Sequence, residues 1–434
     1  MQQHSNELGL TTKQIVTTWW PLAFSWLLMS AEQPALAAVV LRLPNGEINM
    51  AAFGGITFPL ALIIEAPIIM LLAASTALSK DWDSFQKLKR YMFTASVILT
   101  IVHILVAFTP LYDFVARVVL GSPAETIEPG RIGLMIFTPW TWAIAYRRFH
   151  QGMLIRFNRS YTIGAGTLIR ISANVLVLVG GFLLGNIPGI VVASCAVIFG
   201  VFCEAVYVGI AAQQTISGAL RRAVPDSTPL NFRFFMRFYI PLVLTSLLVL
   251  LVQPIGSAAL GRMPMAIASL AAWPVVAGLV MLFRSLGTAF NEVVVALLHI
   301  PKARQALWRF CLALCVITTL ALLAVTATPL SAWWFGTVTG LEPDRAPMAM
   351  AALWFLLPLP ALTVLQSWYQ GSLMHHRQTR SITESVVVFL VTSVLGLAAC
   401  AAWSPAAGLY SAAAVFTVAN LIQTGWLWMR AKNL

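Results

Sequence analysis

The sequence predicts an all-α polytopic membrane protein of 12 transmembrane helices, arranged as two six-helix lobes related by a parallel repeat. Three observations lead there: the composition, a series of apolar stretches of spanning length, and dipeptides that recur at a nearly constant offset. Of the 434 residues, 59% are hydrophobic and 10% charged. Soluble domains carry about 25% charged residues. A soluble chain this apolar could not hide its own surface, which argues against a soluble enzyme or a nucleic-acid module. The net charge of +12 need not mean a nucleic-acid partner; in a membrane protein it usually reflects basic cytoplasmic loops. Five cysteines, Cys195, Cys203, Cys311, Cys315 and Cys400, lie in apolar stretches without zinc-like or disulfide-like spacing.

A helix that crosses the bilayer core needs about 20 mostly apolar residues. The first half offers 16–40, 50–78, 92–120, 132–153, 162–184 and 188–211. The second offers 238–260, 265–298, 308–335, 348–373, 386–403 and 406–428. The first stretch lacks a short apolar core followed by a small-residue cleavage site and reads as a retained span. With both termini cytoplasmic, 20 Lys and Arg fall in inner loops, among them Arg147, Arg148 and Arg377, and 5 in outer ones. That asymmetry predicts the orientation, in a bacterial inner or plasma membrane. The expected organisation is an N-lobe over 1–213, a linker and entry to the seventh span over 214–237, and a C-lobe over 238–434.

The lobes share landmarks. Pro21-Leu22 and Gln33-Pro34 recur at an offset of 220 as Pro241-Leu242 and Gln253-Pro254. Gln151-Gly152 recurs at an offset of 219 as Gln370-Gly371, and Phe58-Pro59 aligns loosely with Trp273-Pro274 at 215. An even number of spans per lobe keeps both in the same orientation, related by an axis along the membrane normal. Prolines inside spans free carbonyls and bend helices. Their symmetric placement suggests lead helices bent against a central cavity, with Gln33 and Gln253 on its wall.

Ionisable groups in the hydrocarbon cost about 2.5–3.5 kcal/mol each and are functional candidates by default. Glu32 and Glu65, each near a proline, are candidate ion-coupling carboxylates for H+ or Na+, with packing or salt bridging as the alternative. Arg170 and Glu204 lie in adjacent spans, where they either pair or leave Arg170 for substrate. Arg284 has no acid at its depth in the second lobe and suits bidentate binding of a carboxylate or phosphate. Trp140 and Trp142 could floor the cavity. His150, Gln151 and Gln370 are candidate gates at the inner mouth. His103 reads as a buried hydrogen-bonding histidine. His375-His376 has no further ligand at metal spacing, and no Walker or Rossmann fingerprint appears, so no metal, cofactor or enzymatic activity is expected.

Trp19-Trp20-Pro21-Leu22 with Glu32-Gln33, the segment His150-Gln151-Gly152-Met153-Leu154 leading into a basic turn, and the two-lobe plan resemble the progressive ankylosis (ANKH-type) membrane proteins. Those belong to the superfamily of multidrug, oligosaccharidyl-lipid and polysaccharide flippases (MOP) that includes the MATE exporters. The resemblance implies a MATE-like pair of bundles that rock about a central cavity. For the ankylosis branch it implies export of organic anions such as citrate, nucleotides or pyrophosphate. For the MATE branch it implies H+- or Na+-coupled antiport of organic cations, usually with an acid in the first helix, where Glu32 is the candidate. The lead expectation is a secondary transporter that exports an organic anion by alternating access. A cation antiporter and a lipid-linked precursor flippase are the alternatives. Membrane lipids are the expected surroundings, and no nucleic acid is expected as a partner.

Overall fold

The computed structural model describes residues 10–223, 230–376 and 378–432. Among them there are helices and no strands. Eleven helices are long and apolar enough to cross a membrane: α1 Thr12–Val40, α2 Gly46–Leu78, α3 Trp82–Phe108, α5 Tyr161–Leu184, α6 Gly189–Leu220, α7 Phe232–Arg262, α8 Ala266–Leu297, α9 Ala303–Ala327, α10 Ala346–His375, α11 Arg380–Trp403 and α12 Gly408–Ala431. The twelfth, α4, consists of Ala124–Ile136 and Thr138–Arg156. Its charge explains why it stands apart, because it carries Glu125, Glu128, Arg131, Arg147, Arg148 and Arg156. Arg377 and the residues 224–229 of the expected linker lie outside the described residues.

Local chemistry sets the helix limits. Thr11 and Gln14 form a reciprocal capping box at the start of α1. Asp81 caps α3 by accepting from the Ser84 amide at 2.8 Å, and Asn231 caps α7 by accepting from the Phe234 amide at 2.7 Å. α1 breaks between Ser30 and Glu32, and α7 between Leu250 and Val252. Each break falls just ahead of Pro34 or Pro254, whose ring has no N–H and crowds the carbonyl four residues earlier.

The repeat extends to backbone detail. Asn45 and Met265, at the offset of 220, both adopt left-handed φ (55° and 56°) ahead of α2 and α8. Gly121 and Gly340, 219 apart, have φ of 61° and 71°. Thr109 and Thr328 each donate from Oγ1 to the carbonyl four residues back, both at 2.6 Å. A Cβ on Gly152 would lie 2.3 Å from the Leu72 carbonyl oxygen and 2.8 Å from Ser75 Cβ. On Gly371 it would meet Val294 Cγ1 at 2.7 Å and the Asn291 carbonyl oxygen at 3.2 Å. Leu72 and Asn291, like Ser75 and Val294, are 219 apart, so both Gln-Gly pairs seat their helix in the same register.

One expected correspondence is corrected. Phe58-Pro59 and Trp273-Pro274 are not equivalent, because the offset is 220 at the starts of α2 and α8 and 219 at their ends. The single residue of difference is explained by the π-helical turn Phe53–Thr57 in α2, which α8 lacks. A π turn inserts one residue into an α-helix.

The chain forms two compact units, residues 1–38 with 262–434, and residues 39–261. This grouping differs from a division into consecutive halves. The lead helix of each half is housed with the other half's helices, and specific contacts hold it there. In the first unit, Trp19 Nε1 of α1 donates to the Leu286 carbonyl of α8 at 3.0 Å, and Pro34 packs on Gly278. In the second, hydroxyls of α7 satisfy carbonyls of α2 beside its break at Met70. Tyr239 donates to Pro67 O and Ser246 to Ala66 O at 3.0 Å. α3, α5, α9 and α11 carry large exposed apolar side chains, among them Phe93, Leu176, Ile317 and Leu395. Such faces suit lipid as the solvent, and the chain is an integral membrane protein.

Candidate functional site

The unit of residues 39–261 buries a charged cluster around α4 and α6. Glu204 of α6 is 1% exposed and accepts from Arg147 of α4. Its other oxygen accepts from Gln151 Nε2 at 3.0 Å. Arg170 of α5 approaches the first oxygen through Nε at 3.4 Å. Arg147 and Gln151 stand one helical turn apart and so share a face of α4. Glu65 of α2, 3% exposed, interacts electrostatically with Arg147 and Arg148, and its Oε2 finds no hydrogen-bond donor among the described residues. Arg148 is half-buried and within ion-pair distance of no carboxylate among them. Three guanidinium groups and two carboxyl groups thus share one apolar surrounding. Partnered charges survive burial, whereas removing one partner leaves an expensive orphan.

The other unit repeats this contact without charge. At the offset of 219 from Arg147 and Glu204 stand Gln366 and Gln423. Gln366 Nε2 of α10 lies 3.5 Å from Gln423 Oε1 of α12, 3.0 Å from Thr424 Oγ1 and 3.3 Å from Asn420 Oδ1. The same offset from Glu65 leads to Arg284. Equivalent positions on α2 and α8 therefore carry opposite charges. Arg284 is half-buried and donates from Nε to Thr363 Oγ1 at 2.8 Å. No carboxylate among the described residues pairs with it. Glu292, two turns further along α8, instead accepts from Trp26 Nε1 at 3.2 Å.

The structure brings Arg170, Glu204, Gln151 and Glu65 together with the two arginines of α4. The inner-loop count includes Arg147 and Arg148, yet they lie within α4, buried and half-buried. Without these two the expected inner count is eighteen against five. The expected Arg170–Glu204 pairing is present, shared with Arg147 and Gln151. Glu32 and Gln33 are half-buried beside the α1 break, while Gln253 is exposed beside the α7 break. Glu32 and Arg284 belong to one unit and Glu65 and Arg170 to the other.

Trp140 is 5% exposed and packs against Phe137 at 4.7 Å and Phe58 at 6.0 Å. Trp142 is exposed and stacks on Tyr146 at 5.3 Å. These two residues of one helix therefore point into different surroundings. His150 is 4% exposed, with Nδ1 bonded to the Tyr146 carbonyl at 2.8 Å. Gln370 accepts from Asn291 Nδ2 at 3.4 Å. His103 is held between the Leu134 carbonyl (2.8 Å) and Thr141 Oγ1 (3.4 Å). Arg147, Arg148, Gln366 and Gln423 are the residues that sequence reasoning missed. The signal that could have found Gln366 and Gln423 is the offset of 219 applied to Arg147 and Glu204.

No protein-family model and no curated protein matches the chain. Solved structures do. An inward-facing multidrug-resistance MATE transporter of the MOP superfamily is similar with a TM-score of 0.69 at 14% identity, over 96% of this chain and 98% of that one. The lipid II flippase MurJ, inward closed, gives 0.72 at 14% over 94% and 86%. A MOP superfamily transporter from Pyrococcus furiosus, described as having a binding pocket of reverse polarity, gives 0.56 at 15% over 97% and 96%. The fold is therefore the 12-helix, two-lobe fold of the MATE structures. The likeness extends to that broad fold and does not single out the progressive ankylosis branch.

Proposed function

We propose that the chain is a secondary transporter that exports a small organic anion by alternating access, in the cell membrane with both termini cytoplasmic. The observation that carries this reading is Arg284. A guanidinium within a spanning helix, positioned through Nε by Thr363 and paired with no described carboxylate, leaves its Nη edge for a ligand. Planar guanidinium geometry matches a carboxylate or phosphate with two parallel hydrogen bonds. Arg148 is a second half-buried arginine without an ion-pair partner among the described residues, and the cluster around it holds more arginines than carboxylates. In this reading Arg284 anchors the substrate, and the bent lead helices α1 and α7 adjust as access alternates. The test is flux in proteoliposomes. Citrate, a nucleotide or pyrophosphate is moved by the wild type, and Arg284→Ala lowers that flux at least tenfold. Unchanged flux in this variant overturns the proposal.

A second reading rests on Glu65. A buried carboxyl with an oxygen that no described donor reaches is suited to taking up H+ or Na+, as an organic-cation antiporter requires. The similar MATE structures fit this reading as well as the first. It predicts cation efflux that is abolished in Glu65→Gln and retained in Arg284→Ala. The likeness to MurJ supports a third, a flippase of lipid-linked precursors, for which a lipid-linked pyrophosphate replaces the soluble anion in the same assay.

A further inference from the structure

In the unit that contains residues 262–434, α8 ends, α9 begins and α10 and α12 finish around a cavity of about 790 Å³. Its cationic lining is Lys302, Arg304 and Lys432, all exposed. Its walls are aromatic: Trp308 and Trp368, with ring centroids 5.5 Å apart, together with Tyr369 and Trp428. No carboxylate among the described residues lines it. Glu384 of α11 is engaged by Arg430 at 2.7 Å and Arg380 at 3.2 Å. His376, also in the lining, uses Nδ1 on the Ser372 carbonyl at 2.8 Å, which leaves Nε2 as its remaining polar ring atom.

The repeat shows that the shared frame does not require this cavity. Phe85, the counterpart of Arg304 at the offset of 219, is 2% exposed. It packs on Phe149, the counterpart of Trp368, at 5.2 Å, and on Trp82 at 5.9 Å. Over Trp82 lies the Arg221 guanidinium at 4.8 Å. The counterpart of Trp428 is Gly209, where the Tyr146 hydroxyl would lie 2.5 Å from a Cβ. Aromatic rings thus fill that corner in one unit. In the other, cations line the space and tryptophans wall it.

We propose that this cavity is a binding site for an organophosphate, a phosphoryl group carried on an apolar or aromatic body, separate from the site around Arg284. The ammonium groups of Lys302 and Lys432 take the phosphoryl oxygens, and indole faces take the attached body. The volume falls within the range of about 300–1,000 Å³ that small-molecule sites occupy. A soluble nucleotide and an anionic phospholipid headgroup share this chemistry, and basic and aromatic residues at the ends of spanning helices suit both.

The test uses the full-length purified protein in detergent, with thermal unfolding followed during titration. One arm adds ADP; the other adds short-chain phosphatidylglycerol, with phosphatidylcholine as its uncharged control. The expected result is saturable stabilisation by at least one phosphoryl probe. Lys302→Glu combined with Lys432→Glu raises its half-saturating concentration at least tenfold, and Trp428→Ala raises it as well. The effect of the double variant persists in the Arg284→Ala background, where any contribution from a nucleotide bound at Arg284 is removed. Stabilisation by ADP identifies a soluble organophosphate, and stabilisation by phosphatidylglycerol alone identifies a lipid. No stabilisation by either probe overturns the proposal, as does unchanged half-saturation in the double variant.

Discussion

Arg147 and Glu204 join α4 to α6 in one unit, and their repeat counterparts Gln366 and Gln423 join α10 to α12 in the other. The helices, the register and the depth correspond, while the chemistry of the contact does not. A pair of amides, with Asn420 and Thr424 beside it, is sufficient to hold two helices at that crossing. The packing therefore does not demand the ion pair. A buried ion pair is often replaceable by uncharged residues without loss of stability. Its presence in only one unit, beside Glu65 and Arg148, is a chemical difference between the repeats that packing alone does not require. Opposite charges at the equivalent positions of Glu65 and Arg284 sharpen the contrast: one unit carries the candidate coupling carboxyl where the other carries the candidate anion anchor.

The largest effect is expected at the ion pair. Glu204→Ala removes the carboxylate that Arg147 and Arg170 share and should lower stability by about 3–5 kcal/mol in denaturant titrations in detergent. Arg147→Gln combined with Glu204→Gln, a copy of the amide pair, should recover most of that loss. If the double variant is no better than the single, the two contacts are not equivalent. A smaller effect comes from the Gln-Gly seats. Gly152→Ala forces a Cβ against the Leu72 backbone and should cost about 1–3 kcal/mol. Gly371→Ala meets the movable Val294 side chain first, so a smaller loss of thermal stability is expected. The smallest is Thr363→Val, which removes one hydrogen bond from Arg284. A loss of about 1 kcal/mol, or roughly fivefold in anion affinity, should appear in binding titrations with folding intact.

Much of the fold is legible in the residues. Apolar runs mark the spans, and Pro34 and Pro254 mark the breaks in the lead helices. The Gln-Gly pairs reveal the repeat because a glycine is needed where two helices approach this closely. Three features are hidden. The π turn at Phe53–Thr57 shifts the register by one residue, which no local pattern announces; Pro59 and Pro274, 215 apart, are four residues off the register that follows it. Arg147-Arg148 resembles an interfacial basic pair, and only contact with Glu204, two helices further along the chain, shows it to be interior. The exchange of α1 and α7 between the two units depends on long-range hydroxyl-to-carbonyl bonds such as Ser246 to Ala66. The Arg170–Glu204 pair and the lack of a described carboxylate beside Arg284 are readable, because charges are so scarce in these helices.

The measurement that most directly tests the central claim is ligand-induced stabilisation of the purified protein by citrate, pyrophosphate and a set of organic cations, in wild type and Arg284→Ala side by side. Selective stabilisation by a multivalent anion is expected, lost in Arg284→Ala and retained in Lys302→Glu with Lys432→Glu. Stabilisation by organic cations alone, unaffected by Arg284→Ala and lost in Glu65→Gln, would contradict it.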